Sequence, residues 1–149
     1  MKSDILEYLN AIKKIHKGQS SRVAYYKWIL ENGKLFTEKD DPKKFNKVFK
    51  KRFRGCYYNA QMLALDNEEL KYYEGWGITG VVGFPLDHGF NVVGGRVVDI
   101  SWPDGIEYFG IEIPSDFIRE EMLRTEIAGT ILFRWWEKTI NDNKKMASL

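Results

Sequence analysis

Between Leu70 and Ile113 the chain changes texture. Five short runs rich in β-branched and aromatic residues, Leu70 to Trp76, Ile78 to Gly83, Gly89 to Val93, Arg96 to Trp102 and Ile106 to Ile113, follow one another with glycine at or beside most breaks. Runs of this length and composition, bounded by turn residues, read as β-strands, and their short connections make an antiparallel meander. Helical periodicity flanks this block on both sides. The order is helices, then strands, then helices, which predicts an α+β fold with helices covering one side of the sheet.

Ser3 or Asp4 caps a first run in which Ile5, Leu9, Ile12 and Ile15 recur at helical spacing, and Gly18 ends it. Ser20 and Ser21 open a second helix through Val23, Tyr26 and Ile29 or Leu30, closed by Asn32-Gly33. Pro42 suits the first turn of a third, with Phe45, Val48, Phe49 and Phe53 on one face. The other face carries Lys43, Lys44, Lys47, Lys50, Lys51, Arg52 and Arg54. Gly55 breaks that pattern, and Cys56 starts a short helix whose buried face holds Cys56, Asn59, Ala60 and Leu63. Beyond the strands, Pro114-Ser115-Asp116 signals another helix start. Phe117 to Leu123 and Ile127 to Ile140 read as helix, with a polar tail from Asn141.

The 149 residues, 44% of them hydrophobic, supply one core, so a single domain over residues 1–149 is expected. No apolar run approaches the roughly 20 residues that cross a bilayer. Met1-Lys2-Ser3-Asp4 lacks the apolar stretch of a signal peptide, so a cytoplasmic protein with no membrane partner is expected. A single cysteine cannot form an internal disulfide, and with two histidines a structural zinc site would lean on carboxylates. No cofactor is expected, and the reactivity of the free Cys56 becomes the question. The net charge of +2 conceals a division: residues 1–55 hold 15 Lys and Arg against 6 Asp and Glu, and residues 56–149 hold 8 against 15. The basic half closes on the acidic half of its own fold, or meets an acidic partner or nucleic acid.

A thiol attacks a carbonyl as its thiolate, and the amides and dipole of a helix N-terminus favour that anion. The same amides can receive the oxyanion of a tetrahedral intermediate. Cys56 is so placed. His88 stands just before the apolar strand Gly89 to Val93, and Gly94-Gly95 makes a two-residue hairpin turn into Arg96 to Trp102. With that turn, Val93 pairs with Arg96, Phe90 with Asp99 and His88 with Ser101. Alternation then sets His88, Phe90, Asp99 and Ser101 on one sheet face, with Asp99 diagonal to His88. A nucleophile, a base and a group that orients the base are what acyl transfer requires.

Cys56-Tyr57-Tyr58-Asn59-Ala60, Tyr72-Tyr73-Glu74-Gly75-Trp76, His88-Gly89-Phe90-Asn91-Val92 and Gly95-Arg96-Val97-Val98-Asp99 together resemble the core of the transglutaminase-like superfamily. The likeness is strongest to small bacterial and phage members and covers about residues 55–102. It implies the papain-like fold, Cys56 as nucleophile, His88 as general base and then acid, and Asp99 as the orienting carboxylate. It also implies a protein or peptide substrate. The family's His-Ala-Trp is His88-Gly89-Phe90 here, and its Asp-Pro-Thr is Asp99-Ile100-Ser101.

Four further residues are candidates for contact with substrate: Asn59, Glu74, Phe90 and Trp102. Asn59, one turn after Cys56, reaches substrate or ties its helix to a neighbouring loop. Glu74 lines the cleft or faces solvent. Trp102 belongs to the core or the cleft wall. His16 is a helix-terminal residue. Two other functions compete with acyl transfer. In one, the basic segment 43–54 binds nucleic acid through phosphates; in the other, a catalytically degenerate member of the fold binds or inhibits a partner.

Overall fold

A computed structural model describes residues 3–149. Met1 and Lys2 of the N-terminal stretch read above lie outside the described residues. Helix α1 (Asp4–Ile15) starts where Ser3 Oγ accepts the Leu6 amide, and Ile5 and Leu9 are its buried stripe. Helix α2 (Ser20–Asn32) follows Gly18, whose φ of +95° only glycine adopts readily. Among the described residues no helix is long and apolar enough to cross a membrane.

The sheet has five antiparallel strands in the order β1-β5-β2-β3-β4: β1 (Lys34–Phe36), β2 (Lys71–Thr79), β3 (Leu86–Val93), β4 (Arg96–Val98) and β5 (Gly105–Ile113). Only β2, β3 and β4 form the expected meander. β5 returns to the far side of β2, and β1, unanticipated, pairs outside it. The two runs split at Gly77 are one strand, because that glycine pairs normally with Leu86 and Tyr108. The sheet curls until its edges meet: after β1, Glu38 O accepts the Val97 amide and Asp40 N donates to Val97 O.

Curling gives the sheet two unlike faces. Inward, Phe36, Tyr73, Phe90, Val92, Val97 and Tyr108 form a closed aromatic core. Outward, Tyr72, Trp76, Ile78, Phe109, Ile111 and Ile113 pack beneath the helices, against Ile5, Leu9, Ile29, Ala60 and Ile118. Each buried isoleucine, leucine or phenylalanine among them is worth roughly 1.5–3 kcal/mol. Helix α3 (Cys56–Asp66) lies on this face, as do α4 (Ser115–Thr125) and α5 (Leu132–Ala147), whose buried residues Phe117, Ile118 and Leu132 belong to the same core. Helix α5 begins later than its periodicity predicts and runs through the polar residues that read as a tail.

The expected third helix is absent. Pro42–Lys44 makes one 3-10 turn and residues 45–55 are irregular, with Val48 and Phe53 exposed while Phe45 and Phe49 pack against Leu63, Leu70 and Val98. Lys43, Lys47, Lys51 and Arg54, at spacings of three and four, would stack like charges along one helix face. The loop instead takes its hydrogen bonds from side chains. Asn67 Oδ1 accepts the Asn46 amide and its Nδ2 donates to Asn46 O, Asp66 accepts the Val48 amide, and Asn59 both accepts from and donates to the Arg52 backbone.

Candidate active site

Cys56 is the first residue of α3, with Gly55 as its cap. The first-turn amides of Cys56, Tyr57 and Tyr58 therefore have no carbonyl one turn back within the helix. Two features bring this helix start onto β3. Asn91 Nδ2 donates to Ala60 O at 2.9 Å, and Gly89 presents no side chain where α3 crosses. A Cβ on Gly89 would sit 3.0 Å from a Tyr57 ring carbon and 3.3 Å from Tyr57 Cα. Glycine beside the histidine is thus a condition of the close approach.

His88 is fully buried in β3 and points to the inner face. Its Nε2 lies 2.8 Å from Asp99 Oδ2. The Trp102 ring stacks on the imidazole with centroids 3.5 Å apart and planes 11° from parallel. Space for that indole comes from Gly77, where a Cβ would fall 2.7 Å from the Trp102 ring.

The Gly94-Gly95 turn sets the expected register, Val93 opposite Arg96 and Asn91 opposite Val98. The ladder stops at Val98, so Phe90–Asp99 and His88–Ser101 are not ladder pairs. Asp99 ends it by turning the chain: Oδ1 accepts the amides of Ser101 at 2.9 Å and Trp102 at 3.0 Å. Oδ2 accepts the Tyr108 hydroxyl at 2.8 Å as well as facing His88. One carboxylate therefore orients the imidazole and fixes the backbone of the tryptophan that covers it.

Burial disfavours the charged imidazolium of His88, but the Asp99 carboxylate and Cys56 outweigh it and raise the His88 pKa above its ordinary value. Burial likewise opposes ionisation of Asp99, and the hydrogen bond and charge of His88, with the Trp102 amide and Tyr108, hold the carboxyl below its ordinary value. Asp99 occupies Nε2, so Nδ1 is the nitrogen left for the thiol. Nδ1 is buried and makes no hydrogen bond with a described residue, and Cys56 is, after Asp99, the other side chain that raises the ring's pKa.

Cys56 borders a cavity of about 350 Å³ lined by Lys51, Arg52, Phe53, Arg54, Ser101 and Trp102. Arg54, two residues before the thiol, has φ +56°, a left-handed conformation that costs a non-glycine residue roughly 1–2 kcal/mol. Asn59 joins the walls, since Nδ2 donates to Ser101 Oγ at 2.9 Å as well as to Arg52 O.

Of the four side chains expected at substrate, Trp102 borders this cavity. Asn59 is buried and ties helix to loop. Phe90 is fully buried in the inner core, ring against Tyr73. Glu74 lies on the opposite sheet face, neither exposed nor in the cleft. It accepts the Tyr72 hydroxyl at 2.8 Å, the amides of Ile131 and Leu132 at 2.9 Å each, and the Thr130 hydroxyl. Of the basic residues 43–54, Lys51, Arg52 and Arg54 line this cavity and Lys43 and Lys47, with Lys51, an adjoining one, while Lys44 and Lys50 line neither.

Sequence reasoning missed Tyr108, Gly77 and Gly89 as parts of the site. Gly89 carried a signal, a glycine inside an apolar strand beside a polar residue. Tyr108 and Gly77 become legible only with the β2–β5 register, which no hairpin turn dictates. Among the described residues, no group of three or more His, Cys, Asp or Glu is arranged to hold a metal ion. Comparison with protein-family models, curated proteins and solved structures finds no match to this chain.

Proposed function

We propose that this protein is a cysteine-dependent acyl-transfer enzyme of the papain-like, transglutaminase-like class, with Cys56 as nucleophile, His88 as base and acid, and Asp99 as orienting group. One observation carries the reading: a buried imidazole, pinned at Nε2 by a carboxylate and on its face by an indole, keeps Nδ1 without a hydrogen-bond partner among the described residues, and Cys56, at a helix start, is among the groups that raise its pKa. A packing histidine has no need of such an arrangement. A general base does.

The thiol proton passes to His88 Nδ1 as Sγ bonds to the acyl carbon, and the carbonyl electron pair moves onto oxygen, where the first-turn amides of α3 can stabilise it. When that pair returns, the bond from carbon to the leaving group breaks, and the leaving group takes the proton from Nδ1. A thioester remains on Cys56. Water or an amine then attacks it, giving its proton to Nδ1, and the thiolate leaves and is reprotonated there. Water gives hydrolysis and an amine gives transfer. Peptide and protein amides are the substrate class proposed, in the cytoplasm.

The test is the rate at which iodoacetamide alkylates Cys56 at pH 7, set beside glutathione. The expected result is an excess of at least about tenfold over the free thiol, removed by His88→Ala in a variant that retains its circular dichroism. An activated ester should leave an acyl group on Cys56, visible as a mass increase. Equal alkylation of the wild type and His88→Ala sinks the reading.

A further inference from the structure

The Cys56 cavity adjoins a second, larger one of about 590 Å³, and Lys51 lines both, so the two lie side by side along one groove wall. Lys39, Lys43 and Lys47 line the outer part, and Arg52 and Arg54 line the inner part with Lys51. None of these six cations forms an ion pair with a described residue. Asp41 is the acidic side chain lining the groove besides Asp99, whose oxygens are all engaged. Neighbouring Asp40 is taken by Lys44 at 2.7 Å.

Backbone carbonyls hold two of the cations at the rim. Lys51 Nζ donates to Ile100 O at 3.0 Å, and Lys39 Nζ donates to Pro103 O at 3.3 Å. Both carbonyls belong to the turn that follows Asp99, so the charge is anchored to the same segment that orients the histidine. The opposite wall is stapled by Asn59, Asp66 and Asn67. The Arg52 guanidinium lies over the Tyr58 ring at 3.6 Å, and the other five cations, none in an ion pair and with Asp41 as the acidic neighbour besides the engaged Asp99, raise the potential along the groove. Phe45, Ile100 and Pro103 give its outer part an apolar surface as well.

We propose that the acyl donor is an acidic peptide segment with interspersed apolar residues, seated in this groove with its scissile acyl group at Cys56. That the ligand is an acyl donor, and so a peptide rather than a nucleic acid, rests on the acyl-transfer reading above; that the groove favours an acidic ligand with apolar parts does not. A nucleic acid would satisfy the cations but has no acyl carbon to offer a groove that ends on a thiol.

The test uses full-length Cys56→Ala and a fluorescein-labelled decapeptide of alternating glutamate and leucine, with its lysine–leucine counterpart, followed by anisotropy at low salt. The acidic peptide should bind at least about tenfold more tightly, and Lys47→Glu or Lys51→Glu should each remove most of that preference. Unlabelled acidic peptide should also protect wild-type Cys56 from iodoacetamide. Equal affinity for the two peptides, or binding without protection, overturns the proposal while leaving the His88 dependence of alkylation to judge acyl transfer separately. Tighter, Lys47-dependent binding of a single-stranded 12-mer oligonucleotide than of the acidic peptide also overturns it.

Discussion

Glu74, in β2, and Asp99, just past the end of β4, are buried carboxylates whose hydrogen-bond shells are nearly the same. Each accepts two backbone amides, from Ser101 and Trp102 or from Ile131 and Leu132, and each accepts a tyrosine hydroxyl, from Tyr108 or Tyr72. They differ in the fourth partner, an imidazole for Asp99 and the Thr130 hydroxyl for Glu74. Burial pushes both carboxyl groups upward, yet Asp99 ends below its ordinary value and Glu74 above it. Four neutral donors do not offset desolvation at Glu74. A partner that can carry positive charge does so at Asp99. One shell is a clamp that ties α5 to the sheet; the other raises the proton affinity of an imidazole.

The sharpest way to break the comparison is Asp99→Asn. The amide oxygen keeps the Ser101 and Trp102 amides, and the new NH₂ faces Tyr108, whose hydroxyl can rotate to accept, and His88 Nε2. Facing a donor, Nε2 becomes the acceptor and the ring proton moves to Nδ1, the nitrogen that must receive the thiol proton. The fold should survive, and iodoacetamide alkylation of Cys56 at pH 7 should fall by about 10²- to 10⁴-fold, the usual worth of a general base. Alkylation within twofold of the wild type would remove Asp99 from the chemistry.

Glu74→Gln should have the converse phenotype. Ile131 donates to one oxygen and Leu132 to the other, so a glutamine presents NH₂ to one of two backbone amides that cannot turn away. An unsatisfied buried donor costs about 1–3 kcal/mol, which urea denaturation would read directly. Alkylation of Cys56 should stay within about twofold. A large loss of reactivity with unchanged stability would mean that the two carboxylates share one function.

How far each carboxylate could be read from sequence follows from where its partners come from. His88 lies on β3 and Asp99 follows β4, the strand that Gly94-Gly95 joins to it, and a two-residue turn sets register locally, so their proximity was legible. Cys56 at a helix start was legible from Gly55 and the spacing that follows. Glu74 depends on Thr130 to Leu132, more than fifty residues away, and no local rule links them. Phe90 was given its proper face, but the curl of the sheet, which turns that face into a sealed core, is a tertiary outcome. The basic segment misled because its phenylalanines have helical spacing, while like charges and the side chains of Asn59, Asp66 and Asn67 favoured a loop.

Gly77→Ala tests the stacking half of the Asp99 side with a smaller effect. The added methyl meets the Trp102 ring at 2.7 Å, so the indole must slide from the imidazole. Overpacking of this kind costs about 1–3 kcal/mol, and a few-fold loss of alkylation should accompany it as His88 gains freedom. Trp102 fluorescence should change in the same variant. Unaltered fluorescence and reactivity would show that the stack does not constrain the ring.

The smallest expected effect is a difference in pH dependence between the two shells, and its sign can be worked out. The folded His88 pKa is raised above 6.5, so its contribution to stability is complete below pH 6.5 and is lost as pH rises through the folded value. The folded Asp99 pKa lies below 3.8, so its contribution is complete above pH 3.8 and is lost as pH falls through the folded value. Stability of the wild type minus that of Asp99→Asn should therefore peak between about pH 4 and 6.5 and decline on both sides. Glu74 behaves differently: with its folded pKa raised above 4.5, its contribution is complete below pH 4.5 and fades as pH rises through the folded value. Wild type minus Glu74→Gln should accordingly increase as pH is lowered towards 4.5, with no fall on the acid side until other groups titrate. Urea midpoints of the three proteins between about pH 2 and 8 separate a bell from a one-sided rise. Two curves of the same shape would mean that the imidazole is not what distinguishes the shells, and the Asp99–His88 coupling that raises the basicity of the proposed base would lose its support.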